Sequence, residues 1–219
     1  MNAATGRVDT SPLEAAAVVA LCFGWGIYAS TAMVLRGFPS GPSFTDAGAV
    51  GLALFEAVFA ALAIVLLRLR RYDVRSLVPR VTWLGSVLGV GLTVAVWMVA
   101  LLVALPFGAA VQSEQPISQM VATSTITAPF LLVMAVVNGT FEEVFLLGFL
   151  QRGLRGHGTS ISLGVALLVR VSYHLYQGPL GAVSVLGFGI VLGLFHARTQ
   201  RLWPAVLAHI ICDIVPFLV

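Results

Sequence analysis

Residues 47–67 read AGAVGLALFEAVFAALAIVLL, and residues 68–80 read RLRRYDVRSLVPR. The first stretch is long enough for a helix to cross the hydrocarbon core of a bilayer, which takes about 20 apolar residues. Its single ionisable residue is Glu56. The second stretch sets Arg68, Arg70, Arg71, Arg75 and Arg80 directly behind the apolar run. Arg gathered beside a span stays on the cytoplasmic side. An apolar run closed by a basic one predicts a transmembrane helix with a fixed direction, entering from outside and leaving inside.

The rest of the chain repeats the pattern. It is 59% hydrophobic and 10% charged, against about 25% charged in a soluble domain. Too few charges exist to coat a water-facing surface, so the solvent for most of the surface is lipid. Seven apolar segments are candidate spans: 14–35, 47–67, 82–105, 129–151, 160–176, 180–196 and 202–218. The fifth and sixth are short for a span. Residues 112–128 are polar and β-branched, and read as a loop or a re-entrant eighth segment. Turn signals separate the spans at Gly37-Phe38-Pro39-Ser40-Gly41-Pro42, Gly156-His157-Gly158 and Gly178-Pro179. The expected fold is an all-α polytopic bundle of about seven spans, with the first apolar run retained rather than cleaved.

Every basic residue is Arg. With seven alternating spans and Arg68–Arg80 inside, Arg7, Arg152, Arg155, Arg198 and Arg201 fall on the same side. Only Arg36 lies in an outer loop and Arg170 within a span. This predicts a multi-pass cell-membrane protein with a cytoplasmic N-terminus and an extracytoplasmic C-terminus. The net charge of +3 gives no reason to expect a nucleic-acid partner. Cys22 and Cys212 both sit in apolar runs, so no disulfide is expected. Trp83 and Trp203 open two spans at the Arg-rich interface, where indole favours the headgroup layer. Gly85/Gly89 and Gly189/Gly193 have the spacing that lets helices approach closely in lipid.

Ionisable residues inside a bilayer are costly and are functional by default. Here they are Glu56, Glu142, Glu143, Arg170, His174, His209 and Asp213. At about 1.5 Å per residue, Glu142 and His209 lie roughly 11–13 Å from the Arg-rich end, with Asp213 one turn deeper. This suggests one buried site facing the cytoplasm. His209 and Asp213 are four apart and share a helix face, as do Arg170 and His174. A carboxylate so placed can orient the imidazole. Glu142 and Glu143 cannot both ionise cheaply in low dielectric without a cationic partner. Taken singly, Glu56 reads as interhelical hydrogen-bonding glue, His157 as a solvated loop residue, and His196 as an interfacial one.

The Glu142-Glu143 pair followed by VFLLGFLQRGLR, then SYHLYQG with His174, then RTQRLWPAVLAHIICD with His209 and Asp213, resembles the CAAX-protease and bacteriocin-processing (ABI) family of intramembrane proteases. That family includes the type II CAAX prenyl endopeptidases and the bacterial lysostaphin-resistance-like proteins. The resemblance covers about residues 125–216. It divides the chain into residues 1–125, transmembrane helices with no recognisable motif, and residues 126–219, a catalytic transmembrane region. Two positions depart from the family pattern. Its motif EExxxR has Leu147 here in place of Arg, and its FxxxH has Arg170 in place of Phe. The two departures are expected to compensate, with the Arg170 guanidinium reaching Glu143 or Glu142. Arg170→Phe with Leu147→Arg would then return the charge to its family position.

The resemblance implies an endopeptidase acting on a membrane-associated peptide or protein. Prenylated CAAX peptides, bacteriocin precursors and signal-peptide remnants all fit. It implies that Glu142 and His174 activate water, that His209 and Asp213 stabilise the oxyanion, and that Glu143 acts structurally or electrostatically. The family is often called a metalloprotease. Glu142, His174, His209 and Asp213 could hold zinc or could work without a metal, and no HExxH signature is present. The rival readings are a proton-coupled transporter or channel component, since the same residue types relay protons, and a catalytically silent membrane scaffold.

Overall fold

A computed structural model describes residues 7–39 and 43–218. Of the turn expected at 37–42, Ser40, Gly41 and Pro42 lie outside the described residues. Gly37 and Phe38 turn the chain with positive φ angles. The helices are α1 (Pro12–Leu35), α2 (Asp46–Leu69), α3 (Trp83–Ala104), α4 (Ala109–Ser113), α5 (Pro116–Ala122), α6 (Ala128–Glu143), α7 (Thr159–His174), α8 (Pro179–Thr199) and α9 (Trp203–Ile214). Helix α6 continues without a break as a π-helical segment, Val144–Gln151. Among the described residues there is no strand, only one isolated bridge between Arg7 and Tyr72. The chain is an all-α polytopic membrane bundle.

Five helices are long and apolar enough to cross a membrane: α1, α2, α3, α6 with its continuation, and α8. Each of the seven candidate segments falls on a helix, but their lengths differ from expectation. The sixth, α8, is a full 21 residues. The seventh, α9, is the short one at 12 residues, and α7 has 16. The 112–128 stretch holds two short helices, α4 and α5, rather than a plain loop.

Helix starts follow from local chemistry. Ser11 caps α1 in a reciprocal capping box with Glu14. Arg7 donates to both Glu14 oxygens at 2.6 and 2.7 Å, and Arg70 donates at 2.9 Å. The start of α1 is thereby tied to the end of α2. Asp46 accepts from the backbone N–H of Thr127 at 2.7 Å, joining the start of α2 to the start of α6. Gly178, at φ 90°, turns the chain into α8; a Cβ there would meet Pro116 Cδ at 2.5 Å, so only glycine fits.

Helix α6 is central. Over half of its apolar window (56%) is buried, against 17% in α2 and α3. It packs on α2 and α9, while α3 packs on α9 and α8, α7 on α8, and α1 on α7. The glycine pairs mark close helix approaches. Side chains at Gly85 and Gly89 would strike Trp203 and Leu207 of α9, and one at Gly189 would strike Leu167 and Arg170 of α7. Leu54, Val58, Val65, Val90, Val94 and Leu102 face outward, as lipid-facing positions do.

Candidate active site

The site forms where α6, α7 and α9 meet. Asn138, Glu142 and Glu143 come from the last turns of α6, Arg170, Tyr173 and His174 from the end of α7, and His209 and Asp213 from α9. Glu143 is fully buried and Arg170 is 2% exposed. The Arg170 guanidinium donates to both Glu143 oxygens, at 2.7 and 2.9 Å. Its other terminal nitrogen, Nη1, lies 3.6 Å from Glu142 Oε2 and has no hydrogen-bond partner. The guanidinium carbon also stands 5.0 Å over the Phe188 ring. Gly189 leaves room for this side chain: a Cβ there would lie 3.1 Å from Arg170 Cδ.

His209 is surrounded by carboxylates. Its Nδ1–H donates to Glu143 Oε1 at 2.6 Å. Its Nε2 lies 3.5 Å from Asp213 and 3.9 Å from Glu142. The imidazole of His174 is fixed differently. Its Nδ1–H donates to the backbone carbonyl of Arg170 at 2.9 Å, which leaves Nε2 as the free ring nitrogen. Glu142 accepts from the Tyr173 hydroxyl and, at 3.2 Å, from Asn138. Asn138 also donates to Glu56 at 2.7 Å. Glu56 is thus interhelical glue, as its residue type suggests, yet it binds directly into the chain that ends at Glu142. Tyr173 is held from its other face by Phe23 of α1, stacked at 5.0 Å.

Asn138 and Tyr173 are absent from the residues singled out by sequence. The available signal for Asn138 is an amide one turn before Glu142 in an otherwise apolar helix. Tyr173 carries no such signal, since tyrosine at helical spacing is ordinary packing material. His196 is buried, with Nδ1 unpartnered, rather than reaching an open interface. His157 ends a short 3-10 turn between α6 and α7 and is exposed.

The π-helical segment decides what position 147 can do. With i→i+5 bonding, one turn beyond Glu143 is Gly148, not Leu147. Leu147 turns into an apolar cluster with Leu192, Leu202, Ala205 and Val206, and is 2% exposed. An Arg there would have to enter this apolar cluster, so the expected exchange of Arg170→Phe with Leu147→Arg does not suit this chain.

A cavity of about 680 Å³ adjoins the cluster, with Glu56, Asn138, Glu142, Tyr173, His174 and Asp213 on its polar wall. Its other walls include Ile117 and Val121 of α5, Phe44 before α2, and Phe217 beyond α9. These lie at the end opposite the Arg-rich turns. From sequence, the site is expected to face the Arg-rich end; the structure puts its open space on the other side. The cause is that α7 and α9 both start at the Arg-rich end and stop at the site, so room opens beyond their C-termini. A smaller cavity of about 170 Å³ between α3 and α8 reaches Arg170, His174, His209 and Asp213 from the side.

The donor set does not suit a metal as arranged. Among the described residues no group of three or more His, Cys, Asp or Glu side chains is poised to share an ion. Glu143 is committed to Arg170 and His209, and Glu142 to Tyr173 and Asn138.

Residues 123–215, less than half of the chain, match the family model described as type II CAAX prenyl endopeptidase Rce1-like. The matched segment contains the whole α6–α9 cluster. No curated protein and no solved structure matches the chain.

Proposed function

We propose that this chain is an intramembrane endopeptidase of the CAAX type, with residues 126–219 as its catalytic region, acting on a membrane-associated peptide or protein. The observation that carries the reading is the buried Glu142/Glu143–Arg170–His209 cluster, whose Glu142 lines a cavity of about 680 Å³, inside the segment with the family match.

Peptide hydrolysis needs a base for water and donors for the oxyanion that forms. Glu142 takes a proton from a water held between it and His174 Nε2. The hydroxide adds to the peptide carbonyl. His209, an imidazolium among the Glu143, Glu142 and Asp213 carboxylates, keeps its Nδ1 proton on Glu143 and offers Nε2–H to the oxyanion, and the spare Arg170 Nη1 adds positive charge nearby. Glu142 then returns its proton to the leaving amine as the C–N bond breaks. Asp213, 3.5 Å from His209 Nε2 and one turn along the same helix, orients the imidazole. No step runs through a metal.

The Arg distribution sets the turns at Arg68–Arg80, Arg152–Arg155 and Arg198–Arg201 in the cytoplasm. The cavity then receives substrate from the extracytoplasmic half of the membrane or sideways between α3 and α8. The test is a peptide panel incubated with detergent-purified protein, followed by comparative terminal proteomics of membranes with and without the chain. Glu142→Gln keeps shape and hydrogen-bonding reach but is a far weaker base, and is expected to lower turnover by about 10²–10⁴-fold with an unchanged melting temperature. Retained cleavage would sink the mechanism. A second reading, proton relay by a transporter, draws on the Glu56–Asn138–Glu142 chain, where Glu56 Oε2 is buried without a partner. Proton flux in liposomes without peptide cleavage would favour it.

A further inference from the structure

A second cavity, of about 620 Å³, lies at the Arg-rich end between the α2–α3 connection and the α8–α9 turn. Arg75, Arg80, Arg152 and Arg201 line it, with His196, and no Asp or Glu does. Among the described residues none of these four Arg takes part in an ion pair. Four guanidinium groups around one concavity repel one another unless an anion is present. His196 is 1% exposed and its Nδ1 has no hydrogen-bond partner. A buried polar atom left unmatched costs about 1–3 kcal/mol, so this one calls for a partner from outside the chain. The buried Nε of Arg152 is likewise unmatched, while its terminal nitrogens are held by Ser76. Helix α9 begins at the same cavity with no side-chain cap, adding the positive end of its dipole.

We propose that this cavity binds a phosphate group, and that its source is the headgroup of an anionic phospholipid. Three features favour lipid as the source. Val78 and Leu84 line the same cavity and are largely exposed, giving an acyl chain apolar surface to lie on. Trp203 also lines it, with its indole N–H on Ser86 at 3.0 Å, at the depth where indole meets headgroups. Anionic lipids are also recognised by Arg clusters next to span ends. The site is separate from the Glu142 cluster and does not depend on the reaction assigned there.

The test uses the full chain in neutral detergent, titrated with short-chain phosphatidylglycerol, with phosphatidylcholine of equal chain length, and with inorganic phosphate. Binding is read as a saturable rise in Tm. Phosphatidylglycerol is expected to raise Tm and phosphatidylcholine to leave it unchanged. Arg80 and Arg201 make no side-chain hydrogen bond among the described residues, so Arg80→Gln/Arg201→Gln removes charge and little else. It should weaken apparent affinity about 25-fold, from two Arg each contributing a factor of about five. Arg80→Gln alone should weaken it about fivefold. Arg68→Gln/Arg198→Gln removes equal charge from the same end outside the cavity and should change nothing. Saturation by inorganic phosphate with the same Arg80 and Arg201 dependence would overturn the lipid source. No rise with any anion, or equal losses in the two double variants, would overturn the site.

Discussion

Arg170 and Glu143 face each other at 2.7 Å, both buried in the protein interior. Removing one partner of such a pair leaves a bare charge, at about 3–5 kcal/mol, while replacing both by apolar groups is often neutral. Arg170→Leu is therefore expected to lower stability by about that amount, and Arg170→Leu/Glu143→Leu to recover most of it. Thermal unfolding in one detergent checks both; an Arg170→Leu protein as stable as the parent would refute the pairing. Activity should stay lost in the double variant, because His209 then lacks its Nδ1 acceptor. The ionisable residues brought together were legible in sequence, because an apolar background makes a Glu, His or Arg conspicuous. The same logic misses Tyr173, whose hydroxyl is the only unusual thing about it. It undervalues Glu56, whose partner Asn138 becomes meaningful only when α2 and α6 are seen side by side.

At the scale of helices, hydropathy placed each apolar segment on a helix, five of them long and apolar enough to cross a membrane, because lipid selects on average apolarity over about 20 residues. It located lengths less well. Proline at the second position of α9 and the glycine turns at 158 and 178 set where helices start, but nothing apolar marks where α7 and α9 stop. The π-helical segment after Glu143 was illegible, since widening a turn by one residue leaves composition unchanged. That segment is why Leu147 could not be read as a place to which the Arg170 charge can be moved. Glycine spacing carries its own test. Gly189→Ala crowds Leu167 and Arg170 and should destabilise by about 1–3 kcal/mol. Gly91, in α3, has nothing near its missing side chain, so Gly91→Ala should instead stabilise by up to about 1 kcal/mol. Opposite signs in thermal unfolding are the expected result.

For the whole molecule, direction in the membrane is the property that links the two ends. Cysteine introduced at Val81, on the Arg-rich end, is expected to resist a membrane-impermeant thiol reagent added outside intact cells. Cysteine at Val121, on the wall of the larger cavity, is expected to react, in a background with Cys22 and Cys212 replaced by serine. The reverse pattern would turn the cavity toward the cytoplasm. The short helices have a further effect on the surroundings. Helix α7 is about 24 Å long and presents Ile161 and Leu168 to lipid, whereas the hydrocarbon layer is about 30 Å thick. A helix this short is mismatched to that layer, and hydrophobic mismatch of this kind carries an energy that depends on acyl-chain length. Peptide turnover in phosphatidylcholine bilayers should therefore fall as the chains lengthen from 14 to about 22 carbons, because thicker lipid strains the short helix that carries Arg170, Tyr173 and His174 at its end.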